Sequence, residues 1–93
     1  MNKISPLGNI RKDIDKTDKE ILGLLSMRGD LVKKVKEIKV KEGIPIRDLD
    51  REKDHIKDLL ELNRQSKNPL SEEAIEEIFK SIIKHSVLFQ NKD

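Results

Sequence analysis

From Leu7 to Glu42 thirty-six residues pass without a proline, and apolar side chains recur through them at helical spacing: Ile10, Ile14, Ile21, Leu24, Leu25, Leu31, Val32 and Val35. The pattern predicts one long helix over residues 7–42. It should end at Gly43, because glycine suits a left-handed exit and Pro45 cannot continue a helix. Gly23 and Gly29 lie inside the run, where each weakens the helix by about 1 kcal/mol relative to alanine and permits a local kink. At about 1.5 Å per residue such a helix is roughly 54 Å long. A compact globule of 93 residues has a diameter of roughly 30 Å. An apolar stripe that long cannot be left in water, so a second copy lying against it is expected. Shape alone leaves open an antiparallel coiled-coil dimer with no chemistry.

A second helix is predicted over residues 49–66, burying Leu49, Ile56, Leu59 and Leu60, and stopping before Asn68 and Pro69. Ser71 then reads as an N-cap, with Glu72 and Glu73 well placed against the helix dipole, and opens a third helix over residues 71–91. Its stripe is Ile75, Ile78, Phe79, Ile82, Ile83 and Phe89. The expected fold is therefore all-α: a single domain, residues 1–93, of three helices, one of them very long, in an intertwined helical homodimer. With 34% hydrophobic residues the chain buries only a modest core alone.

Composition excludes several functions. There is no cysteine, hence no disulfide, thiolate metal site or cysteine nucleophile. Two histidines, His55 and His85, are too few for a convincing metal cluster and sit at stripe edges, so no metal is expected. No apolar run approaches the roughly 20 residues that span a bilayer, and residues 1–8 lack a secretory signal, so a cytoplasmic protein without membrane contact is expected. Charged residues make up 41%, yet the net charge is only +2 and aromatics are 2%, which speaks against nucleic-acid binding. The run Lys33, Lys34, Lys36 reads as a solvated face.

Polar residues inside the apolar stripes are harder to dismiss. At about 100° per residue, Arg28 and Lys39 both fall within about 20° of the centre of the first stripe. Glu52 falls on the second stripe's side, and Ser86 and Gln90 on the third's. Each has a bland explanation: the cations could snorkel to water, Glu52 could be a buried partner for Lys39, and Ser86 and Gln90 could be tolerated near a helix end. Together, two cations, one anion and two neutral hydrogen-bonding groups suggest a polar pocket with apolar walls, since an unpaired charge out of water costs several kcal/mol. The excess of cations implies an anion. Without a Gly-rich phosphate loop, an acidic metal cluster or a nucleophile beside a base, a small carboxylate-bearing molecule is the natural ligand.

The same residues carry a family resemblance. Ile10 and Arg11 through Asp18, Leu24 to Arg28, Lys36 to Lys39, the segment IPIRDLDRE ending at Glu52, and SVLFQ ending at Gln90 resemble the small all-helical chorismate mutases along nearly the whole chain. The most specific pieces are the proline followed by Arg47, Asp48, Asp50, Arg51 and Glu52, and the Ser86, Gln90 pair. The resemblance implies a cofactor-free rearrangement of chorismate to prephenate in phenylalanine and tyrosine biosynthesis, carried out by a homodimer with shared active sites. It implies that Arg11 and Arg28 grip the two carboxylates, with Ser86 assisting. Lys39 and Gln90 would meet the ether oxygen of the breaking bond. Glu52 and the backbone of Asp48 would meet the ring hydroxyl, with Arg51 close by. Helical position agrees for Arg28, Lys39, Glu52, Ser86 and Gln90; it does not select Arg51.

Two other functions remain open on sequence. An isochorismate pyruvate lyase shares the fold and the cations, although Glu52 and Ser86 beside Lys39 and Gln90 favour the mutase. The other is a non-catalytic helical interaction or regulatory module. If the site is shared, Arg11 comes from the partner, because the seventeen residues between it and Arg28 span roughly 25 Å of helix.

Overall fold

The computed structural model describes residues 5–92, in which three α-helices and no strand occur: α1 (Pro6–Glu42), α2 (Leu49–Gln65) and α3 (Glu72–Gln90). Each starts on a side-chain cap. The Ser5 hydroxyl accepts from the Gly8 amide at 3.0 Å, and Pro6 follows in the first helical position, where its missing N–H costs nothing. Asp48 Oδ1 accepts from the Arg51 amide at 3.0 Å and opens α2. Ser71 accepts from the Ala74 amide at 3.1 Å and opens α3, as expected, so Ser71 itself stands just outside the helix. Ser66 and Asn91, expected as last helical residues, are the C-caps of α2 and α3.

The end of α1 is a Schellman turn. Gly43 has φ +69°, the Ile44 amide donates to the Lys39 carbonyl at 2.9 Å and the Gly43 amide to that of Val40 at 3.4 Å. Helical structure continues without interruption through Gly23 and Gly29. The kink their composition permitted leaves no break, because i→i−4 hydrogen bonding needs no Cβ.

The chain divides into two compact units, Met1–Leu31 and Val32–Asp93. Among the described residues of the first, no side chain is buried: Leu7, Ile10, Ile14, Ile21, Leu22, Leu24, Leu25, Met27 and Leu31 all stand exposed. In the second, α2 packs against α3. Ile56, Leu59 and Leu60 on one helix and Ile75, Phe79 and Ile82 on the other are half-buried, and Ile83 is buried. Leu49, expected among the buried residues of α2, is exposed: it is the first residue of the helix and borders the open groove between α2 and α3. Arg64 Nε donates to Glu72 Oε1 at 2.5 Å, tying the end of α2 to the start of α3; that hydrogen bond, and the charge of Glu72, raise the guanidinium above its usual value. No described helix is long and apolar enough to cross a membrane.

Candidate active site

Lys39 lies one turn before the end of α1, and the Schellman turn doubles the chain back toward it. Its ammonium group, half-buried, donates to the Ile46 carbonyl at 2.6 Å. The next residue, Arg47, reaches over the start of α2 to Glu52, Nη2 to Oε1 at 3.2 Å. Glu52 is therefore the ion-pair partner of Arg47, and not of Lys39, the pairing left open as its bland explanation. Lys39 is answered by a neutral carbonyl because the turn after Gly43 brings main chain to it first. Asp48 Oδ1 caps Arg51 and its carbonyl accepts from the Glu52 amide at 3.1 Å. The Arg51 side chain is exposed, in keeping with its position off the apolar face.

At the end of α3, Gln90 is the one buried polar residue among those described, 8% exposed. Its Nε2 has only a long bond, 3.4 Å, to the Ser86 carbonyl, and its Oε1 is buried without a partner. Ser86 is half-buried and its hydroxyl donates to the Ile82 carbonyl at 2.8 Å. Lys36 Nζ donates to the Lys92 carbonyl, two residues beyond Gln90. Lys36 and Lys39 share a face of α1, three residues apart. The contact thus brings the end of α3 to the stretch of α1 that carries Lys39. Lys33 and Lys34 are exposed as a solvated face should be, but Lys36, grouped with them from sequence, is half-buried and structural. Nothing in its residue type marks it; only the C-terminal carbonyl it meets does.

Arg28, in the first unit, is half-buried and engaged in interactions of its own, whereas Arg11 is exposed. His55, placed at a surface edge from sequence, is half-buried and also engaged; His85 is exposed. Among the described residues no His, Asp and Glu gather as a metal would need. Between α2 and α3 runs a groove of about 750 Å³, floored by Leu49, Ile56, Leu60 and Ile83. Glu52 lines it, while Lys39 and Gln90 do not, so this groove alone is not the polar pocket. Sequence reading gave no role to two groups that act here, the Ile46 carbonyl and the Arg47 guanidinium. The second had a signal: a cation just outside a helix N-terminus, five residues before a carboxylate on the apolar side.

The described residues thus form an all-helical chain with half-buried cations and a buried, unsatisfied amide on helix faces otherwise apolar. The comparisons give its family. The chorismate mutase type II family model matches residues 10–91, and the chain belongs to that family. It is 39% identical over 89 residues to a chorismate mutase of Methanocaldococcus jannaschii, covering 96% of this chain and 88% of that protein. It is 40% identical over 84 residues to a bifunctional chorismate mutase/prephenate dehydratase of Buchnera aphidicola, covering 90% of this chain but only 21% of the relative. Of the bifunctional relatives it matches first, the chain spans about a fifth to a quarter. A chorismate mutase structure from Thermus thermophilus, form II, superimposes with a TM-score of 0.85 at 32% identity, covering 96% of this chain and 99% of that one.

Proposed function

We propose that this chain, as one catalytic domain over residues 1–93, rearranges chorismate to prephenate on the route to phenylalanine and tyrosine, in the cytoplasm and as a homodimer. The reaction is an intramolecular pericyclic shift. It needs no acid, base or nucleophile, only confinement of the reactive conformer and stabilisation of negative charge developing on the ether oxygen. In our reading Arg11 and Arg28 hold the carboxylates with help from Ser86. Glu52 and the Asp48 backbone hold the ring hydroxyl, with Arg51 in support. Lys39 and Gln90 face the ether oxygen.

The observation that carries this is Gln90. A buried amide with a 3.4 Å bond on one side and none on the other is a costly arrangement for folding alone. The atom that matters for an ether oxygen is Nε2, a donor held only by its 3.4 Å bond to the Ser86 carbonyl and so able to turn to a ligand acceptor. Lys39 supports it, since an ammonium has three donors and the Ile46 carbonyl occupies one. The dimer is supported by the apolar side chains exposed along α1 and by the apolar groove between α2 and α3.

The test is the disappearance of chorismate absorbance on adding purified protein, with prephenate identified as the product and isochorismate offered separately. Turnover of chorismate is expected. Pyruvate release from isochorismate with chorismate untouched would turn the reading to a lyase, and inertness toward both to a non-catalytic module.

A further inference from the structure

We propose that Arg47 is a positioning residue: it acts on the substrate only through Glu52, holding that carboxylate where the ring hydroxyl will sit. This rests on the reaction proposed above. The loop between α1 and α2 is pinned on both sides of Arg47. The carbonyl before it is held by Lys39 Nζ at 2.6 Å, and the residue after it is the N-cap of α2. The Arg47 backbone is thereby fixed, and its guanidinium reaches Glu52 at 3.2 Å. The Arg47 side chain is 59% exposed and that of Glu52 20%, so the pair joins a group in water to one facing inward. Such a pair stabilises a fold little. Its consequence is geometric: the groove that Glu52 lines also presents Lys53, Lys57 and Lys84, to which the carboxylate is drawn once Arg47 is gone.

The ring hydroxyl is present in substrate and transition state alike. An interaction with it is uniform binding, and its loss raises KM while leaving kcat in place. Arg47→Met should therefore raise KM by about 10-fold, the scale of one hydrogen bond to a charged group, with kcat within about twofold. Arg47→Lys should recover most of that loss, and the melting temperature of both variants should match the parent. The deciding measurement repeats Arg47→Met in a Glu52→Gln background, where it should have no further effect on KM. An equal rise in KM in both backgrounds overturns the proposal, because Arg47 would then touch substrate directly or shape the loop. An unchanged KM in the single variant, or a fall in kcat instead, overturns it too. A parent protein inert toward chorismate overturns the proposed reaction itself, an outcome told apart by the activity of the parent alone.

Discussion

Residues 6–31 and residues 32–92 are made of similar material, periodic aliphatic side chains among many charges, and they finish in opposite states. The first stretch forms its backbone hydrogen bonds within one helix and its Ser5 cap, yet leaves every large aliphatic side chain exposed. The second folds α2 onto α3, buries Ile83 and Gln90, and half-buries Lys36, Lys39, Glu52 and Ser86. A helix satisfies its main chain locally, but its side chains need a neighbour, and helices held by propensity alone are marginal in water. Burial in residues 32–92 begins within the chain; in residues 6–31 it is what the proposed second copy would supply.

The largest expected effect breaks that contrast if it fails. Ile21 and Leu25 lie four residues apart on one face of α1 and are exposed in the single chain. Ile21→Asp and Leu25→Asp should each abolish association, since a carboxylate placed in an apolar interface costs several kcal/mol. Sedimentation at micromolar concentration should then find monomer without a cooperative thermal transition. Leu62, 62% exposed on α2 and off its apolar stripe, is the control: Leu62→Asp should sediment as the parent does. Equal damage from Leu62→Asp, or none from Ile21→Asp, removes the distinction between the two regions.

Next comes the assignment of Arg11 to the partner's site. Arg11→Ala and Lys39→Ala should each reduce turnover by about 10² to 10³, the usual effect of deleting a preorganised charge. If the site is shared, unfolding and refolding the two inactive proteins together yields heterodimers with one doubly damaged site and one intact site. Random pairing should restore about a quarter of parental activity. A mixture as inactive as its components, with heterodimers shown to form, would assign Arg11 to its own chain's site or to none.

What the sequence made legible follows the same division. Helix positions, the Gly43 exit and the Ser71 cap are local matters, and residue types near them decide the outcome. Lys39, Glu52 and Gln90 were legible as polar groups on apolar faces because periodicity alone reveals that conflict. Their partners were not. That Glu52 meets Arg47 and Lys39 meets the Ile46 carbonyl depends on how the turn after Gly43 folds back. Gln90 looked like a residue at a fraying end, and its burial, like that of Lys36, depends on where α3 finishes. Periodicity marks which face a side chain takes, not which atom it meets.

Gln90→Glu sharpens the reading of the second region through its pH dependence. Gln90 does not titrate, so it contributes no pH dependence to the parent. A carboxyl in its place can donate to the ether oxygen only when protonated, and burial raises a carboxyl's pKa. Activity should be low at neutral pH and climb toward acid by up to about tenfold per pH unit until that group is protonated. A flat profile would remove Gln90 from the ether oxygen.

The smallest effect turns on a sign. Gly23 and Gly29 both sit inside α1, and a Cβ built on either meets nothing within 4 Å in the single chain. Helix propensity then predicts that Gly23→Ala and Gly29→Ala each stabilise the protein by up to about 1 kcal/mol. The two positions differ in direction. Gly23 points away from the stripe of Ile14, Ile21 and Leu25, whereas Gly29 lies closer to its edge and is already half-buried. A second copy packed along the stripe meets Gly29 and not Gly23. Chemical denaturation at fixed protein concentration should therefore show the full gain for Gly23→Ala, and a smaller or reversed one for Gly29→Ala. Equal gains would mean that no partner backbone approaches α1 at Gly29, moving the contact between copies elsewhere on the helix. A loss at Gly23 would turn the proposed interface to the opposite face of α1.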